Sequence, residues 1–342
     1  MISIRLSGRA NLTSAPVARL LKSEAGAVVL WVLATILLAA TLAPGLYGWG
    51  KEFGAAHSDS DGLAGWLAGS CERARFGRYF NRSMLIAGLV LLWPLLLRVR
   101  ILSRARGTRP ANTWSGIGWQ TGVTHGLAGF AAAAGLLWLL GIAVESGGAF
   151  IPSENHPSTR EFLSGALIPA LGASIIEEWI FRAVLIGLWL RIGSPLSACV
   201  GTSLVFAFVH FLDPPHGAEI PDPHAWSAGF GLLGMILRNY FEPQFIAAEF
   251  LTLFVVGLSL AWARLRTGSL WLPVGMHAGW IFSFKGFNMF HQPAPSNGMA
   301  PLLVGDTLRA GLLPLATLAI TWLLLFWLLP RLPHGRSGPV RP

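Results

Sequence analysis

Charged side chains are what this chain has least of. Asp, Glu, Lys and Arg make up 12% of its 342 residues, whereas 53% are hydrophobic, and the mean hydropathy is +0.57. A soluble domain carries about 25% charged residues, so the natural solvent of this chain is a bilayer. Cysteine is nearly absent. Cys71 and Cys199 are too few for a disulfide framework or a Cys-based zinc site. Lysine is scarce as well, with 3 Lys against 22 Arg, the bias of a GC-rich genome and so an indication of a bacterial source. The net charge of +9 does not point to nucleic acid as a partner. The arginines sit in short clusters between apolar runs, as in cytoplasmic loops. Repeats with a period of 20–50 residues are also lacking, which excludes a solenoid.

What the chain does have is long apolar runs. A helix needs about 20 mostly apolar residues to cross about 30 Å of hydrocarbon. Eight runs qualify: 26–46, 83–98, 121–144, 162–190, 195–212, 245–263, 270–286 and 309–330. The expected fold is all-α, a polytopic transmembrane helical bundle of about eight spans with both termini cytoplasmic. This orientation keeps Arg100, Arg104, Arg106, Arg109, Arg191, Arg264, Arg266, Arg331, Arg336 and Arg341 inside. The 25-residue basic leader before the first run is longer than that of a cleavable signal, so the run is expected to be a retained anchor. The stretch Ala225–Phe241 is read as interfacial, because a full crossing would place Arg264 and Arg266 outside. Four segments follow: a basic cytoplasmic leader (1–25), spans one to three (26–144), a core (160–285), and an outer loop, last span and basic tail (286–342). The expected location is the cell (inner) membrane.

Ionisable groups inside apolar runs are costly and are functional candidates by default. Glu177, Glu178 and Arg182 interrupt the fourth run. Glu178 and Arg182 are four residues apart, stacked on one helical face and able to pair. Glu177 is turned about 100° away and has no such partner in its own helix. His210 lies in the fifth run, four residues after Phe206. If runs four and five form a hairpin, Glu177 and His210 both lie about 20 Å from the turn. His277 lies in the seventh run, where Gly275 and Gly279 permit close helix approach. By the same arithmetic it is only about 10 Å deep, and it meets Glu177 only if the fourth helix projects further. Other polar residues invite blander readings. Glu249 can snorkel to water, and His125 suits helix packing or solvation. Asp213, His216, Glu219, Asp222 and His224 lie in a Pro-rich loop without metal-ligand spacing.

Three motifs stand in order: Glu177-Glu178-x-x-x-Arg182, then Phe206-x-x-x-His210, then His277. Phe254-x-x-Gly257 and Thr267-Gly-Ser-Leu-Trp271 lead up to the third. Together they resemble the CPBP family of intramembrane proteases, which includes the type II CAAX prenyl endopeptidases and their bacterial relatives. The resemblance implies an intramembrane endopeptidase in which Glu177 and His210 activate a water and His277 stabilises the oxyanion. Glu178, Arg182 and Phe206 would support them. The implied partner is a membrane-anchored protein or peptide substrate. No cofactor is expected, although an older view of the family would make Glu177, His210 and His277 zinc ligands. One position departs from the family: Ile281 stands where Asn or Asp is usual, and Asn288 lies about two turns further on. The missing group is then dispensable, or replaced by Trp280 or a backbone amide, or activity is reduced. Two other functions fit parts of the pattern, a proton-coupled transporter and a catalytically silent scaffold or immunity protein. The transporter lacks the two related halves usual in that class, and only Ile281 favours the scaffold.

Overall fold

The computed structural model describes residues 24–105, 117–154, 156–190, 194–212, 219–239, 250–295, 303–309 and 311–331. These residues are almost entirely helical. Arg106, Arg109, Arg191, Asp213, His216, Glu249, Arg336, Arg341 and most of the basic leader lie outside the described residues. The chain divides into two compact units, Met1–Pro110 with Gly217–Leu233, and Ala111–His216 with Gly234–Pro342.

In the first unit α1 (Glu24–Ala56) packs along α3 (Phe76–Ala105) and against the short α2 (Gly62–Arg73). Small residues bring α1 and α3 close. Ala39, Ala40 and Ala43 are fully buried, and the Trp31 indole N–H donates to the Gly88 carbonyl at 3.2 Å. The segment 225–241 contains the short apolar helix α7 (Ala228–Asn239). His224 stacks edge-on against Tyr47 at 5.2 Å, and its backbone N–H donates to Asp222.

The second unit holds α4 (Trp119–Ser146), α5 (159–189), α6 (Pro195–His210), α8 (Leu251–Thr267), α9 (Trp271–Phe290) and α10 (Leu312–Leu328). Its centre is the packing of α9 on α4. A Cβ on Gly275 would come within 2.0 Å of the Gly126 carbonyl oxygen, so glycine is required there for the backbones to touch. The Ser283 hydroxyl donates to the Ala134 carbonyl across the same seam at 2.8 Å. His125 is buried within α4. Two short strands, β1 (Phe150–Pro152) and β2 (His291–Pro293), pair antiparallel just beyond the C-terminal ends of α4 and α9, and so hold those two ends together.

Helix α5 is not uniform. It is wound as a π-helix over Leu163–Leu167 and again over Trp179–Leu185, immediately after the paired glutamates. Such segments are often found at functional sites, and neither was foreseen from the periodicity. Among the described residues, four helices are long and apolar enough to cross a bilayer: Gly26–Ala56, Phe76–Arg98, Trp119–Ser146 and Leu312–Arg331. The chain is a membrane protein.

Candidate active site

Glu178 and Arg182 lie on the buried face of α5, one turn apart. Arg182 Nη1 donates to Glu178 Oε1 at 3.0 Å, with the two side chains 1% and 0% exposed. Its Nη2 donates to the Gly257 carbonyl of α8 at 3.2 Å. Gly257 is held against Ser203 of α6, where an added Cβ would come within 2.9 Å of the serine Cβ. This explains the glycine in Phe254-x-x-Gly257: it allows α6 and α8 to close and presents a carbonyl to the guanidinium. Phe206 fills the remaining side. Fully buried, its ring lies 4.4 Å from the Arg182 guanidinium, 5.1 Å from Phe181 and 4.2 Å from His210. A cation over an aromatic face is attracted to it, so Phe206 helps to keep the charge of Arg182 off the apolar interior.

Glu177 occupies a different face and a different environment. Its side chain is 28% exposed. His210 Nε2 lies 3.1 Å from Glu177 Oε2, and His277 Nε2 lies 3.7 Å from the same oxygen. Neither approach has hydrogen-bond alignment, so Oε2 is left with lone pairs that no donor among the described residues takes up. The opposite side of each imidazole is pinned. His210 Nδ1 donates to the Phe206 carbonyl at 2.9 Å, and a carbonyl oxygen can only accept. His277 Nδ1 is 2.8 Å from Glu178 Oε1. Both rings therefore turn Nε2 towards Glu177. The His277 ring joins the half-buried Glu177 to the buried ion pair, a link that was not foreseen from the sequence.

The depth mismatch of His277 has a geometric cause. Arg264 Nε donates to the Arg182 carbonyl at 3.3 Å, so the end of α8 lies beside Arg182 rather than beside the end of α5. The chain turns there at Gly268, in the left-handed conformation with φ of 64°. Helix α5 runs about 10 Å further, to Trp189. Glu177 and His277 thus meet at one level although their distances from their own turns differ. From sequence Arg264 reads only as a cytoplasmic charge and Gly257 only as part of Phe254-x-x-Gly257, so neither contact was expected.

Glu177, His210 and His277 are donor types that suit zinc. Among the described residues, however, no three His, Cys, Asp or Glu side chains are grouped so as to hold a metal ion.

Residues 159–283 match the family model described as Type II CAAX prenyl endopeptidase Rce1-like. The chain carries an Rce1-like domain. The matched segment runs from the first turn of α5 to Ser283 in α9 and contains Glu177, Glu178, Arg182, Phe206, His210 and His277. Neither the curated proteins nor the solved structures contain a match. All six of these residues belong to the second unit.

The buried pair supports a specific expectation. Glu178→Gln leaves Arg182 buried and uncompensated, which typically costs about 3–5 kcal/mol, and it removes the charge that His277 Nδ1 faces. Membrane accumulation should fall, and Glu178→Gln with Arg182→Gln should recover part of it without restoring activity. Quantitative blotting of membranes beside an activity assay checks this, and full accumulation of the single variant would contradict it.

Proposed function

We propose that the protein is an intramembrane endopeptidase that uses Glu177 to activate water against a peptide bond of a membrane-anchored protein or peptide. The observation that carries the proposal is the contrast between the two glutamates. Glu178 is fully buried, with Oε1 shared by Arg182 and His277. The Glu177 side chain is 28% exposed and holds Oε2 between two imidazoles. The Rce1-like match adds a family of endopeptidases around these residues.

In this reading the Glu177 carboxylate takes a proton from a water while the water oxygen bonds to the scissile carbonyl carbon. The carbonyl π pair moves to its oxygen, and the resulting oxyanion is met by the Nε2–H of His277. His210, fixed by Phe206, orients the water and the base. On collapse the C–N bond breaks, the Glu177 proton passes to the leaving nitrogen, and an amine and a carboxylic acid remain. The bacterial composition favours a membrane-anchored peptide or sorting signal over a prenylated CAAX tail as substrate, in the cell (inner) membrane.

We also propose eight crossings with both termini cytoplasmic. Four of them are the long apolar helices; α5, α6, α8 and α9 are the others. The β1–β2 ribbon supports this, since it keeps the ends of α4 and α9 at one face, as two odd-numbered crossings require. Reporter fusions after Arg109 and after Pro342 should read cytoplasmic, and one after Ser153 should read external. An external C-terminus would break the scheme.

The chemistry is tested on protein termini. New termini in membrane proteins should appear in cells carrying the gene, while Glu177→Gln accumulates normally and lowers their rate of formation at least 100-fold, of the order expected for loss of a general base. With purified protein the cleavage should survive prolonged chelation. Near-normal cleavage by Glu177→Gln would overturn the assignment. Stoichiometric zinc that disappears in His210→Ala would transfer it to a metal mechanism.

A further inference from the structure

An apolar cavity of about 100 Å³ lies beside His277 in the second unit. Helix α9 contributes His277, Trp280, Ile281 and Phe284 to its wall, facing Leu253 of α8 and Leu318 of α10. His277 therefore borders both Glu177 and the cavity. A peptide carbonyl attacked from the Glu177 side would develop its negative oxygen near this wall, where one donor from His277 is available.

The second donor expected at such a site is not at position 281. Ile281 stands one turn after His277, on the same face, and offers no polar group. Trp280, three residues after His277, offers one. Its side chain is 6% exposed, and its indole Nε1 is buried with no hydrogen-bond partner among the described residues. Buried N–H groups are nearly always paired, and an unpaired one is unfavourable in the resting protein. A donor left open beside a catalytic imidazole gains its acceptor when an oxyanion forms, which is the condition for preferential binding of the transition state.

We infer that Trp280 is a catalytic residue whose indole N–H shares the oxyanion of the tetrahedral intermediate with His277, in the role that Ile281 cannot fill. The inference rests on the hydrolase reading above. It also explains how an apolar residue at 281 is compatible with activity.

The experiment follows the formation of new membrane-protein termini in cells expressing variants at matched levels. Trp280→Phe keeps an aromatic ring and removes the N–H. Its cleavage rate per folded molecule should fall on the order of 100-fold, the usual effect of losing one oxyanion donor. Adding Ile281→Asn to Trp280→Phe places an amide on the His277 face and should recover at least about tenfold of the loss, which a merely structural tryptophan would not allow. Wild-type cleavage by Trp280→Phe overturns the inference, as does a loss that Ile281→Asn leaves unchanged. Should Trp280→Phe accumulate poorly, 3-benzothienylalanine at 280 replaces the N–H by sulfur at constant shape, and the same rates decide. Glu177→Gln runs alongside. If it cleaves normally, or if wild type yields no new termini, the hydrolase reading itself fails. If Glu177→Gln is inactive and Trp280→Phe is normal, only the role of Trp280 is lost.

Discussion

The contact on which the site depends is the position of His277 between two glutamates. One nitrogen of its ring touches the buried Glu178, and the other faces the accessible Glu177. Glu178 is in turn neutralised by Arg182, and Arg182 is held by the Gly257 carbonyl and the face of Phe206. Orientation thus passes from α8 and α6 through an ion pair on α5 to an imidazole on α9. In a low-dielectric interior each of these charges alone would be very unfavourable. Grouped, they compensate one another and leave Glu177 Oε2 facing two imidazole nitrogens.

Close backbone packing makes the grouping possible. Gly275 lets α9 lie against the backbone of α4, and Gly257 lets α8 reach α6. Within lipid there is little hydrophobic drive between helices, so such small-residue contacts carry association. The β1–β2 ribbon joins the C-terminal ends of α4 and α9, and the seam that presents His277 is consequently fixed at both the helix faces and the helix ends.

Much of this was legible in the residues. Apolar runs located all the long helices, because length and hydropathy are direct requirements of a bilayer. The i, i+4 spacing of Glu178 and Arg182 stacks them on one face whatever the tertiary structure. Phe206-x-x-x-His210 likewise anticipates a ring and an imidazole on adjacent turns. Other features depend on tertiary contacts that no local pattern encodes. The level of His277 is set by the hydrogen bond between Arg264 and the Arg182 carbonyl, which staggers the α8–α9 turn against the end of α5. α5, α6, α8 and α9 are less obviously membrane-spanning than the other four helices, because they are short, or interrupted, or carry the charges, histidines and glycines of the site.

The central claim is that the Glu177 carboxylate is the base. The most direct measurement is chemical rescue of purified Glu177→Ala on the membrane protein whose new terminus marks cells carrying the gene. Cleavage should be absent in chloride and return in formate, which can supply a small carboxylate to the gap between His210 and His277. A Glu177→Ala variant that cleaves at the wild-type rate without formate would contradict the account.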